Sequence, residues 1–172
     1  MTKQNKQLLL QDLCARLPYG IVINTGDKDL KLDRQHQGIG ILYPEDCSDE
    51  FNERNNNASF YITISGCYYG EDIKPYLRPL SSITEEERKD LLVTIVGNEG
   101  SKYFRVLQDG SIDNTDATIQ DLNKFNMHWI SFDKDTVTLY LDWLNAHYFD
   151  YRGLIPKGLA IEVTKENNPY KD

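Results

Sequence analysis

Leu8, Leu9, Leu10, Leu13 and Leu17 recur near helical spacing, and the run stops at Pro18, which has no amide proton and clashes with the preceding turn of a helix. The pattern predicts an amphipathic N-terminal helix over Gln4–Arg16. Tyr19–Thr25 carries Ile21, Val22 and Ile23 in succession and runs into Gly26-Asp27, a strand followed by a tight turn. Asp29–Asp33 alternates charged and apolar residues, the period of a half-exposed strand folding back as a hairpin. Gly38–Tyr43 predicts another strand and Pro44–Asn57 an exposed polar loop. Ser59–Tyr69 reads as one central strand, with Phe60, Ile62 and Ile64 toward the core.

Thr84-Glu85-Glu86-Glu87 has the form of a capping box, in which the threonine hydroxyl takes an orphan amide and Glu87 reaches back, so a short helix starts at Glu85. Leu91–Val96 reads as a strand, or as a helix end followed by one. Gly97–Gly100 turns the chain into Lys102–Leu107, and Asp109-Gly110 makes the next turn. Ile119, Leu122 and Phe125 predict a helix over Asp116–Trp129 behind Thr115 or Asp116 as cap. Val137, Tyr140, Leu141, Leu144 and Tyr148 mark one face of a last helix ending near Tyr148. Gly153, Pro156 and Gly158 then break regular structure before Leu159–Val163, and Thr164–Asp172 reads as a frayed polar tail. The expected class is α+β: a single domain over 1–172, mainly antiparallel sheet, with an N-terminal helix, a short capped mid-chain helix and C-terminal helices.

Composition narrows the function classes. A chain that is 40% hydrophobic, with eleven tyrosines, has enough apolar surface to fold alone. Net charge is −8 and the 19 basic residues are scattered, which disfavours a nucleic-acid partner read through clustered Lys and Arg. An acidic DNA mimic would need its carboxylates spaced like phosphates along one face. No apolar run approaches the roughly 18–20 residues of a membrane span, nor the stretch of about 7–15 that a signal peptide needs, so a cytoplasmic location is expected. Cys14, Cys47 and Cys67 are odd in number and form no CxxC pair, which points to reduced thiols. The sequon Asn57-Ala58-Ser59 has no role without export.

Neither a cofactor nor a metal is implied. Gly38-Ile39-Gly40 lacks the third glycine and following helix of a dinucleotide loop. Asp109, Asp113 and Asp116 miss the calcium-loop spacing, and His36, His128 and His147 form no HxxxH or HxH pair. Ser81 or Ser82 with His147 and Asp150 could be written as a triad, but no nucleophile-elbow pattern surrounds either serine. Two dense blocks remain, Tyr76–Leu92 and Leu141–Ala160. In the first, Pro75 and Pro79 stiffen an extended segment that sets Arg78, Ser81 and Ser82 before a helix N-terminus, where an anion can be held. In the second, His147, Asp150, Tyr151 and Arg152 cluster at a helix C-terminus beside Gly153. These seven residues are the candidate ligand- or partner-binding set. Local turn and cap duties would account for the same residues.

Leu8–Gly20, containing LCARLPYG, together with PYLRPLSSITEEE from Pro75 and DWLNAHYFDYRGLIPKGLA over Asp142–Ala160, resembles an uncharacterised family of small acidic proteins from gut anaerobic bacteria and their phages and prophages. The likeness dissolves over Gln35–Gly70 and Asn98–Asp135 and departs again after Glu162. The resemblance implies a bacterial or phage origin and a cytoplasmic location, and transfers no activity or ligand. The leading expectation is therefore a non-enzymatic accessory protein, of phage or mobile-element type, that binds a protein partner, tyrosine being suited to interfaces. The alternatives are an enzyme or small-ligand binder whose site joins segments 76–84 and 147–152, and the acidic DNA mimic.

Overall fold

The computed structural model describes residues 1–26, 29–32, 38–41, 60–63, 67–69, 73–114 and 134–171, and over them the chain is α+β. They divide into two units. The first is Met1–Arg78 with Arg152–Asp172 and the second is Pro79–Tyr151, so the second is contained in the chain between two parts of the first. The expected loop over Pro44–Asn57 and helix over Asp116–Trp129 lie outside the described residues, as do His36, Cys47, Asp116 and His128.

The first unit opens with α1 (Lys3–Arg16), whose first turn is capped by Thr2: its hydroxyl oxygen accepts the Asn5 amide at 3.2 Å. Leu17–Tyr19, which contains Pro18, forms a 3-10 turn after α1, and Gly20 closes it at φ 74. A Cβ at Gly20 would stand 2.9 Å from Lys31 Cε, a flexible side chain that can move aside, so it is the left-handed backbone conformation that calls for glycine there. The buried stripe of α1 is Leu9, Asp12, Leu13 and Arg16, narrower than the leucine pattern predicts, with Leu8 and Leu10 half-buried.

In chain order the first unit contains β1 (Val22–Asn24), β2 (Asp29–Lys31), β3 (Gly38–Ile41), β4 (Phe60–Thr63), β5 (Cys67–Tyr69), β6 (Lys74–Leu77) and, near its end, β9 (Ile161–Glu162). One sheet has the order β2-β1-β6-β9 and another β3-β4-β5. The predicted hairpin is present, with Ile23 opposite Leu30. The single strand expected over Ser59–Tyr69 is instead two antiparallel strands, Tyr61 paired with Tyr69. The side chains of Phe60, Ile62 and Ile64 lie outside what is described.

Pro75 sits in an inner strand, a place proline usually avoids because it cannot donate to a ladder. The register resolves this: Pro75 faces Ile23 of β1, while the parallel partner β9 begins its pairing at Tyr76, opposite Ile161. Ile21, Ile23, Leu32, Ile73 and Leu77 are fully buried, as are Leu9, Leu13 and Leu154. The tail is not frayed. The Tyr170 hydroxyl accepts the Val22 amide at 3.3 Å and donates to the Tyr76 carbonyl at 2.8 Å. It bridges the two backbone groups that follow the last β1–β6 pair, Ile23 with Pro75.

The second unit contains α2 (Glu85–Gly100), β7 (Phe104–Val106), β8 (Ile112–Asn114) and α3 (Lys134–Ala146). The capping box forms as the sequence predicts, with Glu87 N to Thr84 Oγ1 at 3.2 Å and Thr84 N to Glu87 Oε2 at 2.9 Å. The helix it starts is 16 residues long and continues through Leu91–Val96 to a kink at Gly97, φ 73. The β-branched run stays helical because Leu91, Leu92 and Ile95 share a face that packs on Val106 and Trp143. β7 and β8 pair antiparallel, Arg105 opposite Asp113.

The inner face of α3 is set by Trp143 and Leu144, with Tyr140 half-buried beside them, while Val137, expected on that face, is 37% exposed. Its end is a Schellman turn: Phe149 N bonds Leu144 O at 3.0 Å, Tyr148 N bonds Asn145 O at 3.2 Å, and Tyr148 takes φ 61, a left-handed conformation usual for glycine. Among the described residues no helix is long and apolar enough to cross a membrane.

Candidate functional site

The seven residues singled out in the sequence are divided between the units: Arg78 and Arg152 belong to the first, and Ser81, Ser82, His147, Asp150 and Tyr151 to the second. In the first unit, Arg152 places Nε 3.9 Å from Asp12 Oδ1. Asp12 is also held by Arg16, through Nε to Oδ2 at 2.8 Å and Nη2 to Oδ1 at 3.0 Å, with both side chains fully buried. Two guanidiniums therefore share one interior carboxylate, which fastens α1 to the start of the last segment. Neither Asp12 nor Arg16 stands out in a sequence reading centred on the leucines. Their signal is the i, i+4 spacing on the same stripe as Leu9 and Leu13.

In the second unit His147 and Tyr151 are engaged close to home. Ser81 and Ser82 are exposed in the short 3-10 turn Leu80–Ser82 that precedes the Thr84 cap. His147 stacks on Trp143 with ring centroids 3.9 Å apart, and its Nδ1 lies 2.9 Å from the Trp143 carbonyl. A carbonyl only accepts, so Nδ1 is the protonated nitrogen and the place of an orienting carboxylate is taken by backbone. Trp143 is itself fixed by its indole N–H, which donates to Asp90 Oδ2 at 2.7 Å, and by Phe149 stacked at 5.8 Å. The Tyr151 hydroxyl donates to Asn145 Oδ1 at 3.1 Å, and Asp150 is buried.

The acids of the β7–β8 turn are likewise used by the turn. Asp109 accepts from the Ser111 hydroxyl at 2.6 Å and the Ser111 amide at 2.9 Å, and these bonds hold its carboxyl below the usual value. Asp113 pairs with Arg105 at 2.8 Å. Among the described residues no group of three or more His, Cys, Asp or Glu side chains is placed to hold a metal.

Tyrosine is also used internally at several positions. The hydroxyls of Tyr76, Tyr140, Tyr151 and Tyr170 bond Asp29, the Gly110 carbonyl, Asn145 and the Tyr76 carbonyl respectively. Large amphipathic rings serve an interior as readily as an interface, provided the hydroxyl finds a partner.

The surface feature with the most chemical character was not among those seven residues. Glu85, Arg88, Lys89 and Leu92 lie at steps of three, four and seven along α2, hence on one face. That face and the segment Ser101–Leu107 enclose a groove of about 450 Å³. Its apolar lining is Leu92, Phe104, Val106 and Leu107, and its cations are Arg88, Lys89, Lys102 and Arg105. Arg88 is built into the wall: its side chain is 17% exposed, Nη1 donates to the Val106 carbonyl at 2.9 Å, and Nε lies 3.8 Å from Glu85 Oε1. Lys89, Lys102 and Arg105 are exposed. Leu107 is 36% exposed, an uncovered aliphatic side chain among charges.

A larger hollow of about 650 Å³, in the first unit, runs along the solvent face of α1 and is lined by Gln4, Gln7, Gln11 and Lys157 among others. Its lining comes from α1 and from Lys157, and its polar side chains are mostly amides, Gln4, Asn5, Gln7 and Gln11.

No family model, curated protein or solved structure matches this chain.

Proposed function

We propose that this chain is a non-enzymatic binding protein, an accessory of the kind carried by phages and mobile elements in the bacterial cytoplasm, and that it recognises a protein partner through the α2–β7 groove of its second unit. The observation that carries this reading is the groove itself: an apolar lining with an exposed Leu107, three exposed cations and Arg88 in the wall, in a chain of net charge −8. Interfaces combine an apolar centre, aromatic and arginine anchors and a polar rim, and Phe104, Arg88 and Lys102 supply those parts.

A volume of about 450 Å³ accommodates a few side chains, so the groove would serve as the anchoring pocket of a larger contact. His147, with its Nδ1 on a backbone carbonyl, has a structural duty that suffices to explain it, and Ser81 and Ser82 lie exposed in the 3-10 turn before the Thr84 cap.

The test is affinity capture with the full chain from a bacterial lysate, with and without prior cross-linking, alongside a variant carrying Phe104→Ser and Leu107→Ser. A partner retained by the wild type and lost by a folded double variant supports the reading. Reproducible failure to retain any protein, with a strictly monomeric profile in solution, overturns it.

A further inference from the structure

The charge arrangement of the α2–β7 groove carries the reading further, to the chemistry of what it would bind, and this step rests on the protein-binding function proposed above. We infer that the groove takes an acidic, amphipathic segment of a protein partner, its apolar side chains lying against Phe104 and Leu107 and its carboxylates against Lys89, Lys102 and Arg105. Three observations converge on this.

The groove joins two stretches of chain with the same sign of charge, Arg88 and Lys89 from α2 and Lys102 and Arg105 from the segment entering and forming β7. The acid on the lining is Glu85, and Asp113 pairs with Arg105 across the β7–β8 ladder. Cations outnumber them, and this happens in a chain whose overall balance is −8.

Arg88 is preorganised. Its bond to the Val106 carbonyl and its proximity to Glu85 hold the guanidinium on the wall with little freedom left to lose, which favours association with a carboxylate-bearing segment.

The lining also discriminates between anions. Phe104 and Leu107 offer apolar contact that a phosphodiester chain does not use well, whereas a peptide alternating Asp or Glu with Leu or Phe satisfies both lining and rim. A nucleic acid would be tracked by a longer cationic stripe than this groove provides.

The experiment measures fluorescence anisotropy of a labelled peptide of about twelve residues, alternating Glu with Leu and Phe, a length of extended chain that spans such a groove with residues to spare. It is titrated with the full-length protein. Comparison probes are the same peptide with Lys for Glu, polyglutamate of equal length, a single-stranded oligodeoxynucleotide and inorganic pyrophosphate.

The amphipathic acidic peptide is expected to bind best, and its affinity to fall at least about tenfold in the triple variant Lys89→Glu, Lys102→Glu, Arg105→Glu and on raising salt several-fold. All three side chains are exposed, so the fold should survive, as circular dichroism would verify. Should the triple variant misfold, Lys89→Glu and Lys102→Glu singly carry the test, each expected to weaken binding about threefold.

Equal binding by wild type and charge-reversed proteins overturns the inference, as does tighter binding of the oligonucleotide or pyrophosphate. A natural partner that stays bound to the triple variant also removes it while leaving the protein-binding function in place. Loss of that partner from Phe104→Ser/Leu107→Ser and from the triple variant alike supports both.

Discussion

Arg16 grips Asp12 through two parallel hydrogen bonds of 2.8 and 3.0 Å, one turn apart on α1, and neither side chain reaches solvent. Removing one member of such a pair leaves an interior charge without its counter-ion, whereas replacing both with apolar groups of matching shape removes the desolvation cost as well. Asp12→Ala is expected to destabilise the protein by about 3–5 kcal/mol. Asp12→Leu with Arg16→Met should cost much less than the sum of the two single changes. Urea denaturation across the double-mutant cycle measures this, and additive single effects would rule out the coupling.

Tyr170 holds the last segment to the sheet by accepting from Val22 N and donating to Tyr76 O. Tyr170→Phe keeps the ring and deletes both bonds, so a stability loss of about 1–3 kcal/mol is expected, the range for leaving buried backbone groups unsatisfied. Hydrogen exchange should quicken at the Val22 amide in particular. Unchanged protection there would show that the hydroxyl is not its acceptor in solution.

Trp143 is the hub of the second unit, bonded to Asp90, stacked on His147 and Phe149, and 6% exposed. Trp143→Ala should cost about 3–5 kcal/mol through the cavity it leaves. Trp143→Phe should cost less, yet more than Asp90→Asn, whose amide oxygen can still accept the indole proton. Equal losses for Trp143→Phe and Asp90→Asn would contradict that order.

Tyr140 donates to the Gly110 carbonyl at 3.0 Å, and burial, reinforced by the charge of Asp109, pushes its phenol above the ordinary value of 10.0. Because the folded value is the higher one, this contribution is complete below pH 10.0 and is lost as pH rises through the folded value. The urea midpoint of the wild type should therefore fall more steeply above pH 10.0 than that of Tyr140→Phe. Parallel pH profiles would remove Tyr140 as the cause.

Local signals translated directly into structure. The Thr84 capping box, the stop at Pro18, the Gly26 turn and the α3 corner before Gly153 each involve residues within a few positions of one another, so their physics is visible in a short window. Expectation and structure part where a distant partner decides the outcome. Leu91–Val96 has strand character by composition and is helical because its inner residues meet Val106 and Trp143. Val137 has helical spacing but lies off the face that Trp143 defines. The tail reads as frayed because the groups that the Tyr170 hydroxyl bonds are 148 and 94 residues away.

The candidate groove was hidden for the same reason. Arg88 and Lys89 belong to one helical face, but Lys102 and Arg105 come beside them only because α2 runs on to Gly100 before the chain doubles back as β7. The sequence by itself determined the α+β class, the helix starts and stops and the acidic balance, since these depend on neighbours along the chain. Tertiary structure alone decided which charges are interior, as with Asp12 and Arg16, and which are gathered on one surface, as with Arg88 and Lys102, because burial and field are sums over residues that sequence order keeps apart.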